Sequence, residues 1–149
     1  MLVISDTSSL ILLDKIKEID LLSRCFDRVL TTPVVVREYG FPLPDWITVQ
    51  APTDLLKQEQ INALMDAGEA SVLTLAAELG NGYVLIDDNR ARRYAEAVGQ
   101  KYLGTFGLIL RAKRSGVIHS VRPLLEKVRE TDFRASEDLY QLVINEAGE

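Results

Sequence analysis

Asp6, Glu38, Glu69 and the pair Asp87-Asp88 are the residues of this sequence best suited to chemistry. Asp6 follows the apolar run Leu2-Val3-Ile4, Asp87 follows Tyr83-Val84-Leu85-Ile86, Glu38 stands in PVVVREYG and Glu69 in DAGEASVL. Acids that close buried strands pack poorly, and ligands of open α/β sheets bind beyond the carboxyl ends of the strands. Two carboxylates about 4 Å apart repel by roughly 4 kcal/mol at an effective dielectric near 20, so a converging set demands protonation or a bound cation. His119 and Cys25 are each alone of their kind, which argues against zinc held by nitrogen and sulfur. An all-oxygen set points to Mg²⁺ or Mn²⁺, ions that activate water and clamp phosphoryl oxygens. Each acid also has a purely structural reading: Asp6 as a helix cap, Asp87-Asp88 as a turn before Asn89, Glu38 and Glu69 as solvated helix positions.

The elements that must position these acids are readable from period and punctuation. Leu2 to Ile4 reads as a strand, and Thr7-Ser8-Ser9 as the start of a helix carrying Leu10 to Leu13. Ile19, Leu21, Leu22 and Phe26 suggest a short second helix, and Arg28 to Thr31 a second strand. Pro33 suits the first turn of a helix through Glu38-Tyr39, with Gly40 as its left-handed stop. Phe41 to Pro44 is a loop before a short strand or edge segment, Ile47 to Val49. From Thr53 the pattern turns helical, with Leu55, Leu56, Ile61, Leu64 and Met65 on roughly one face, and Gly68 reads as an interruption. A further helix carries Glu69 in line with Val72, Leu73 and Ala76 and ends at Gly80 or Gly82. Tyr83 to Ile86 is the clearest buried strand, Asn89 to Val98 a helix stopped by Gly99, Tyr102-Leu103 one more strand, and Gly104-Thr105 the opening of an apolar helix. From Val121 the chain reads as two helices, with Glu146 and Glu149 expected to fray. Such alternation implies an α/β fold with a parallel sheet covered on both faces.

Composition bounds the rest. With 149 residues, 47% of them apolar, the chain can bury a core as one domain, 1–149, without disulfides or a structural metal. A net charge of -5 argues against indiscriminate binding along nucleic acid, though it is silent on local patches. The opening MLVISDTSSLILLDK lacks a basic segment before its short apolar run, and no stretch has the length of a membrane span. The expectation is a soluble cytoplasmic protein.

The segments SDTSSLI, GEASVLTLAAE, LIDDNRARRYAEAVG and LGTFGLILRAKRSGVI together make the chain recognisable: it resembles the PIN-domain nucleases, and within them the VapC-like group, from Val3 to the C-terminal helices. The resemblance implies a three-layer α/β/α sandwich around a central parallel sheet, with the helices from about 121 packed on it. It also implies metal-dependent RNA cleavage, often as the toxin of a type II toxin and antitoxin pair, with a homodimer and a small antitoxin protein as partners. Asp6 matches the family's first-strand acid and Glu38 its second. Glu69 stands where many VapC-like proteins have Asp, which keeps the charge on an arm one methylene longer. Asp87 directly ends the strand, whereas aligning a Thr-x-Asp motif selects Asp88; both are retained as metal ligands, with Asp87 preferred. Ser8 and Thr105 match supporting hydroxyl positions near the acids.

Basic residues bear on substrate. Between Arg90 and Arg114 seven cations face one acid, Glu96, a composition suited to holding a polyanion's backbone while one phosphate meets the acids. Arg90, Arg93 and Lys113 are the RNA-binding candidates; decoration of a solvated helix is the structural alternative. Two other functions compete with the nuclease. A catalytically silent PIN-like module would bind RNA or protein, and a phosphoreceiver domain would also gather acids at strand ends. The receiver fits poorly, because such domains resemble one another in an acidic pair near the first strand, whereas here the pair follows Ile86.

Overall fold

Five parallel strands in the order β3-β2-β1-β4-β5 form the centre of the molecule, which a computed structural model describes over residues 1–149. In chain order the elements are β1 (Leu2–Ser5), α1 (Thr7–Lys15), α2 (Leu21–Cys25), β2 (Arg28–Thr31), α3 (Pro33–Tyr39), β3 (Ile47–Val49) and α4 (Leu55–Asn62). There follow α5 (Ala67–Leu79), β4 (Tyr83–Leu85), α6 (Asn89–Val98), β5 (Tyr102–Leu103), α7 (Thr105–Arg114), α8 (Arg122–Arg129) and α9 (Glu137–Glu146). The expected three-layer α/β/α sandwich is thus found. Helices cover both faces of the sheet: α3 packs with α1 and α5, and α4 with α5, while α2 and α9 pack on α7.

The chain winds from β1 outward through β2 to β3, then crosses back to place β4 on the other side of β1. The strand order therefore reverses between β1 and β4, and a crevice must open there at the carboxyl ends. β1 is buried along its whole length, as a central strand covered on both faces must be. A single cluster of 37 buried hydrophobic residues fills the space between sheet and helices.

Three differences from the sequence reading have local causes. Gly68 does not break the chain; it lies buried in the first turn of α5, and the real interruption is the turn Ala63–Asp66. Of the apolar residues assigned to one face of α4, Ile61 and Met65 are buried, whereas Leu55, Leu56 and Leu64 are exposed, because α4 packs chiefly on α5, along a narrow stripe. Glu149 does not fray: it accepts hydrogen bonds from the Ser120 hydroxyl, the Val121 N–H and the Lys113 ammonium. Those contacts pull its carboxyl down to about 2, the Ser120 hydrogen bond contributing most. Arg114 likewise pairs with Glu146 at 3.2 Å. No helix is long and apolar enough to cross a membrane.

Candidate functional site

The crevice at the strand reversal is built by two turns. β1 ends at Ser5, and the Asp6 N–H bonds the Leu85 carbonyl of β4 at 3.2 Å, tying the two strand ends together. Asp6 then takes extended backbone and caps α1, its Oδ1 accepting from the Ser9 N–H at 2.9 Å. The Ser8 hydroxyl stands 3.4 Å from its Oδ2. Asp6 is thus a helix cap and at the same time a wholly buried carboxylate at the strand reversal. Burial drives its pKa up to about 7, the nearby Asp87 charge adds to the rise, and hydrogen bonding from Ser9 and Ser8 opposes without cancelling it. The buried Ser9 hydroxyl in the same turn makes no hydrogen bond.

β4 delivers the second pair, and its two members divide their duties. Asp87 accepts from the Thr105 N–H at 3.0 Å, the Thr105 hydroxyl at 2.7 Å and the Arg92 guanidinium at 3.3 Å. Asp88 caps α6 through the Ala91 N–H at 3.0 Å. Gly104, just before Thr105, lets the chain approach this closely, since a Cβ there would overlap the Arg92 guanidinium and lie 2.5 Å from Asp87 Oδ1. The Thr105 hydroxyl is thus brought against Asp87.

Glu38 and Glu69 come from the helices on the other side. Glu38, in the last turn of α3, receives the Thr7 hydroxyl at 2.5 Å. Its carboxylate occupies the space that a Cβ on Gly68 would fill. A buried hydroxyl chain sets this distance: the Thr32 hydroxyl, which caps α3, meets that of Ser71 at 2.6 Å, and Ser71 is 2.7 Å from the Gly68 carbonyl. Glu69 is half-buried one residue further on, and its carboxyl rises to about 7 through burial first, then through the charges of Asp6, Asp88 and Asp66, with the Asp66 N–H pulling weakly the other way. Glu38, Glu69 and Asp66 line one small cavity of about 140 Å³ with Thr7, Ser8 and Ile11.

Asp6 and Asp87, and Glu69 with Asp6 and Asp88, are thus within electrostatic reach of one another, and Glu38 joins Glu69 at the α5 N-terminus. The donors are oxygen throughout, the kind that Mg²⁺ and Mn²⁺ take, and two of the carboxyls are pushed toward the neutral form. The donor chemistry fits a hard divalent ion. The spacing is looser: no group of three or more His, Cys, Asp or Glu side chains is gathered closely enough to hold one.

Of the proposed RNA contacts, Arg90 and Arg93 are exposed on α6, which starts beside Asp88, and their side chains form no ion pair or hydrogen bond. Lys113 lies in the last turn of α7, at the opposite end from Thr105, and pairs with Glu149 at 2.9 Å. Three site residues escape the sequence reading as parts of the site. Asp66 stands at the N-cap of α5 without making a cap bond, and its type just before an apolar helix is the available signal. Arg92 stands out in the sequence as a cation but not as the partner of Asp87. Lys15, one α1 length from Asp6, lines a cavity of about 280 Å³ with Ser8, Asp87 and Asp132, and nothing in its sequence context marks it.

Comparison with known proteins agrees with this architecture. A sequence profile for the family described as DUF3368: PIN domain matches residues 2–149. A search of curated proteins finds no match.

Proposed function

Since the chain belongs to the PIN-domain family, we propose that it is a metal-dependent endoribonuclease that hydrolyses RNA phosphodiester bonds at the Asp6 crevice. The observation that carries this reading is a buried aspartate at the strand reversal, flanked by Asp87 and by Glu69, where Glu69 in turn faces Asp66 and Asp88 and shares with Glu38 a cavity lined by no Lys or Arg. Asp6, Glu38, Glu69 and Asp87 or Asp88 would hold Mg²⁺ or Mn²⁺. Bound there, the ion supplies Lewis acidity and charge neutralisation for attack of water on a phosphodiester. The chain's own residues do the positioning. Thr105 and Arg92 fix Asp87, Gly68 gives Glu38 its approach, and the cap bond to Ser9 fixes Asp6. Arg90 and Arg93, both without a side-chain partner, hold the RNA backbone as it crosses the crevice.

Cleavage of RNA by the purified protein with Mg²⁺ or Mn²⁺, its arrest by a chelator and its loss in Asp6→Asn test this function. Undiminished cleavage by folded Asp6→Asn protein excludes the assigned site. A second reading, a silent module that binds RNA or protein, is favoured by the loose spacing of the acids, and RNA binding without metal-dependent cleavage would establish it. Within the nuclease reading, the VapC-like resemblance supports a toxin that forms a homodimer and is inhibited by a small antitoxin whose Arg or Lys enters the acidic crevice. Inhibition by the product of an adjacent small gene tests that step.

A further inference from the structure

A cavity of about 440 Å³ opens from Asp87 and Gly104 away from the acids, between α6, β5, α7 and α9. Its volume lies in the range of about 300–1,000 Å³ usual for small-molecule sites. Three aromatic rings, Tyr102, Phe133 and the buried Phe106, line it beside the aliphatic Leu110, Leu139, Leu142 and Val143. Phe106 and Phe133 meet edge to face with centroids 5.5 Å apart, and the Phe133 N–H bonds the Thr131 hydroxyl at 3.2 Å, which fixes the loop carrying the ring. The Arg92 guanidinium lies 5.6 Å from the centre of the Tyr102 ring while also contacting Asp87. Asn89 and Arg134, both exposed, bring amide and guanidinium groups to the same lining.

We propose that this cavity is a nucleobase subsite, receiving a base of the RNA strand next to the phosphate held at the acids. The proposal rests on the nuclease reading of the crevice. Three features carry it. Asp87 and Phe133 border both this cavity and the one that reaches Ser8 and Lys15, so the strand's path over the acids is continuous with it. Aromatic and guanidinium faces together are the surfaces on which single-stranded bases stack. Asn89 and Arg134 offer donors and an acceptor to a base edge beside the rings. The subsite would give the enzyme a preference at one nucleotide rather than along a sequence.

The test uses the full-length protein and RNA pentamers in metal-free buffer with chelator, where no cleavage intervenes. Affinities are measured for the intact pentamer and for pentamers with one abasic position walked along the strand. A single abasic position should weaken binding about tenfold or more, in line with the value of one stacked base, while the others change it little. Phe133→Leu, and Leu142→Trp at the cavity mouth, should each erase that difference while leaving circular dichroism unchanged. Equal affinity for intact and all abasic pentamers overturns the subsite but leaves the nuclease intact. Base discrimination that survives both substitutions in folded protein also overturns it. So does a dimer that Leu142→Glu splits while discrimination persists, since the cavity mouth then belongs to a second copy. Discrimination retained in a protein that cleaves nothing with Mg²⁺ or Mn²⁺ keeps the subsite and removes the nuclease reading.

Discussion

The two flanks of the acidic crevice solve the same electrostatic problem in opposite ways. On the β4 side, Asp87 is surrounded by donors: the Thr105 N–H and hydroxyl and the Arg92 guanidinium. On the α3 and α5 side, Glu69 faces Asp6, Asp66 and Asp88, and burial together with those charges pushes it to about 7. Each flank depends on a glycine whose missing side chain makes room, Gly104 for Asp87 and Arg92, Gly68 for Glu38. Asp87 on the β4 flank has its cation within the chain, whereas on the α5 flank burial and three neighbouring acids favour the neutral form of Glu69. On the metal-dependent reading proposed above, it is this asymmetry, one row left unbalanced beside one neutralised internally, that would place and orient a cation.

The largest effect that would break this contrast is at Asp6, which stands between the flanks. Asp6→Asn should reduce metal-dependent RNA cleavage to background, because the amide keeps the cap and shape and removes the charge. In metal-free buffer the same substitution should raise stability. The sign follows from the folded carboxyl titrating near 7 and the unfolded one near 3.8. The stability of the wild-type protein is fullest below the unfolded pKa and is lost as pH rises toward 7 and above, where the buried group must ionise. The gain from Asn is therefore greatest above pH 7, with a ceiling of roughly 4 kcal/mol, and vanishes near pH 4. Urea denaturation at pH 4 and pH 8 measures both; a variant less stable than wild type at pH 8 would show that Asp6 acts mainly as a cap.

The opposite sign is expected on the other flank. Arg92→Leu removes the only cation contacting Asp87 and should destabilise the metal-free protein by about 1–2 kcal/mol at pH 7, the usual consequence of leaving a half-buried carboxylate with fewer partners. If Arg92→Leu stabilises, the flanks do not differ and the contrast fails. A smaller and purely functional effect belongs to Gly68→Ala. Gly68 has ordinary helical backbone, so Ala gains up to about 1 kcal/mol of helix propensity, against the overlap with the Glu38 carboxylate. Glu38 is exposed and can rotate away, so thermal stability should hold within about 1 kcal/mol while cleavage falls. Cleavage equal to wild type would place Glu38 outside the chemistry.

How much of this is legible in the sequence depends on the range of the interaction involved. Strand-closing acids, the Pro33 helix start and the left-handed stops at Gly40, Gly80 and Gly99 are local, and they appear where the residue types imply. The partition of Asp87 and Asp88 is not legible, because it turns on Thr105 and Arg92 reaching Asp87 from other turns. Leu55, Leu56 and Leu64 repeat with helical period, yet periodicity records only that a stripe exists and not whether a neighbour covers it. Glu149 shows the same limit: the expectation is that it frays, while the donors that hold it come from the distant Lys113, Ser120 and Val121. Gly68 reads as a breaker until the Glu38 carboxylate is seen against its α-carbon.

The smallest expected effect concerns where the cations of the β4 flank meet RNA. Arg90 and Arg93 are exposed without partners on α6 beside Asp88, whereas Lys113 is bound to Glu149 at the far end of α7. Removing one cation that neutralises a phosphate of a single-stranded ligand should lower the slope of log affinity against log salt by about 0.7. Arg90→Ala with Arg93→Ala should then reduce the slope by about 1.4, and adding Lys113→Ala should leave it there, since an ammonium already paired releases no counterion from the RNA. A further drop on adding Lys113→Ala would mean that the Glu149 pair opens when RNA binds and that the backbone runs along α7. No change in slope for the double variant would instead show that α6 is not the side that carries the strand, and since Lys15 across the crevice is itself paired with Asp132 at 3.0 Å, it would not take over without breaking that pair.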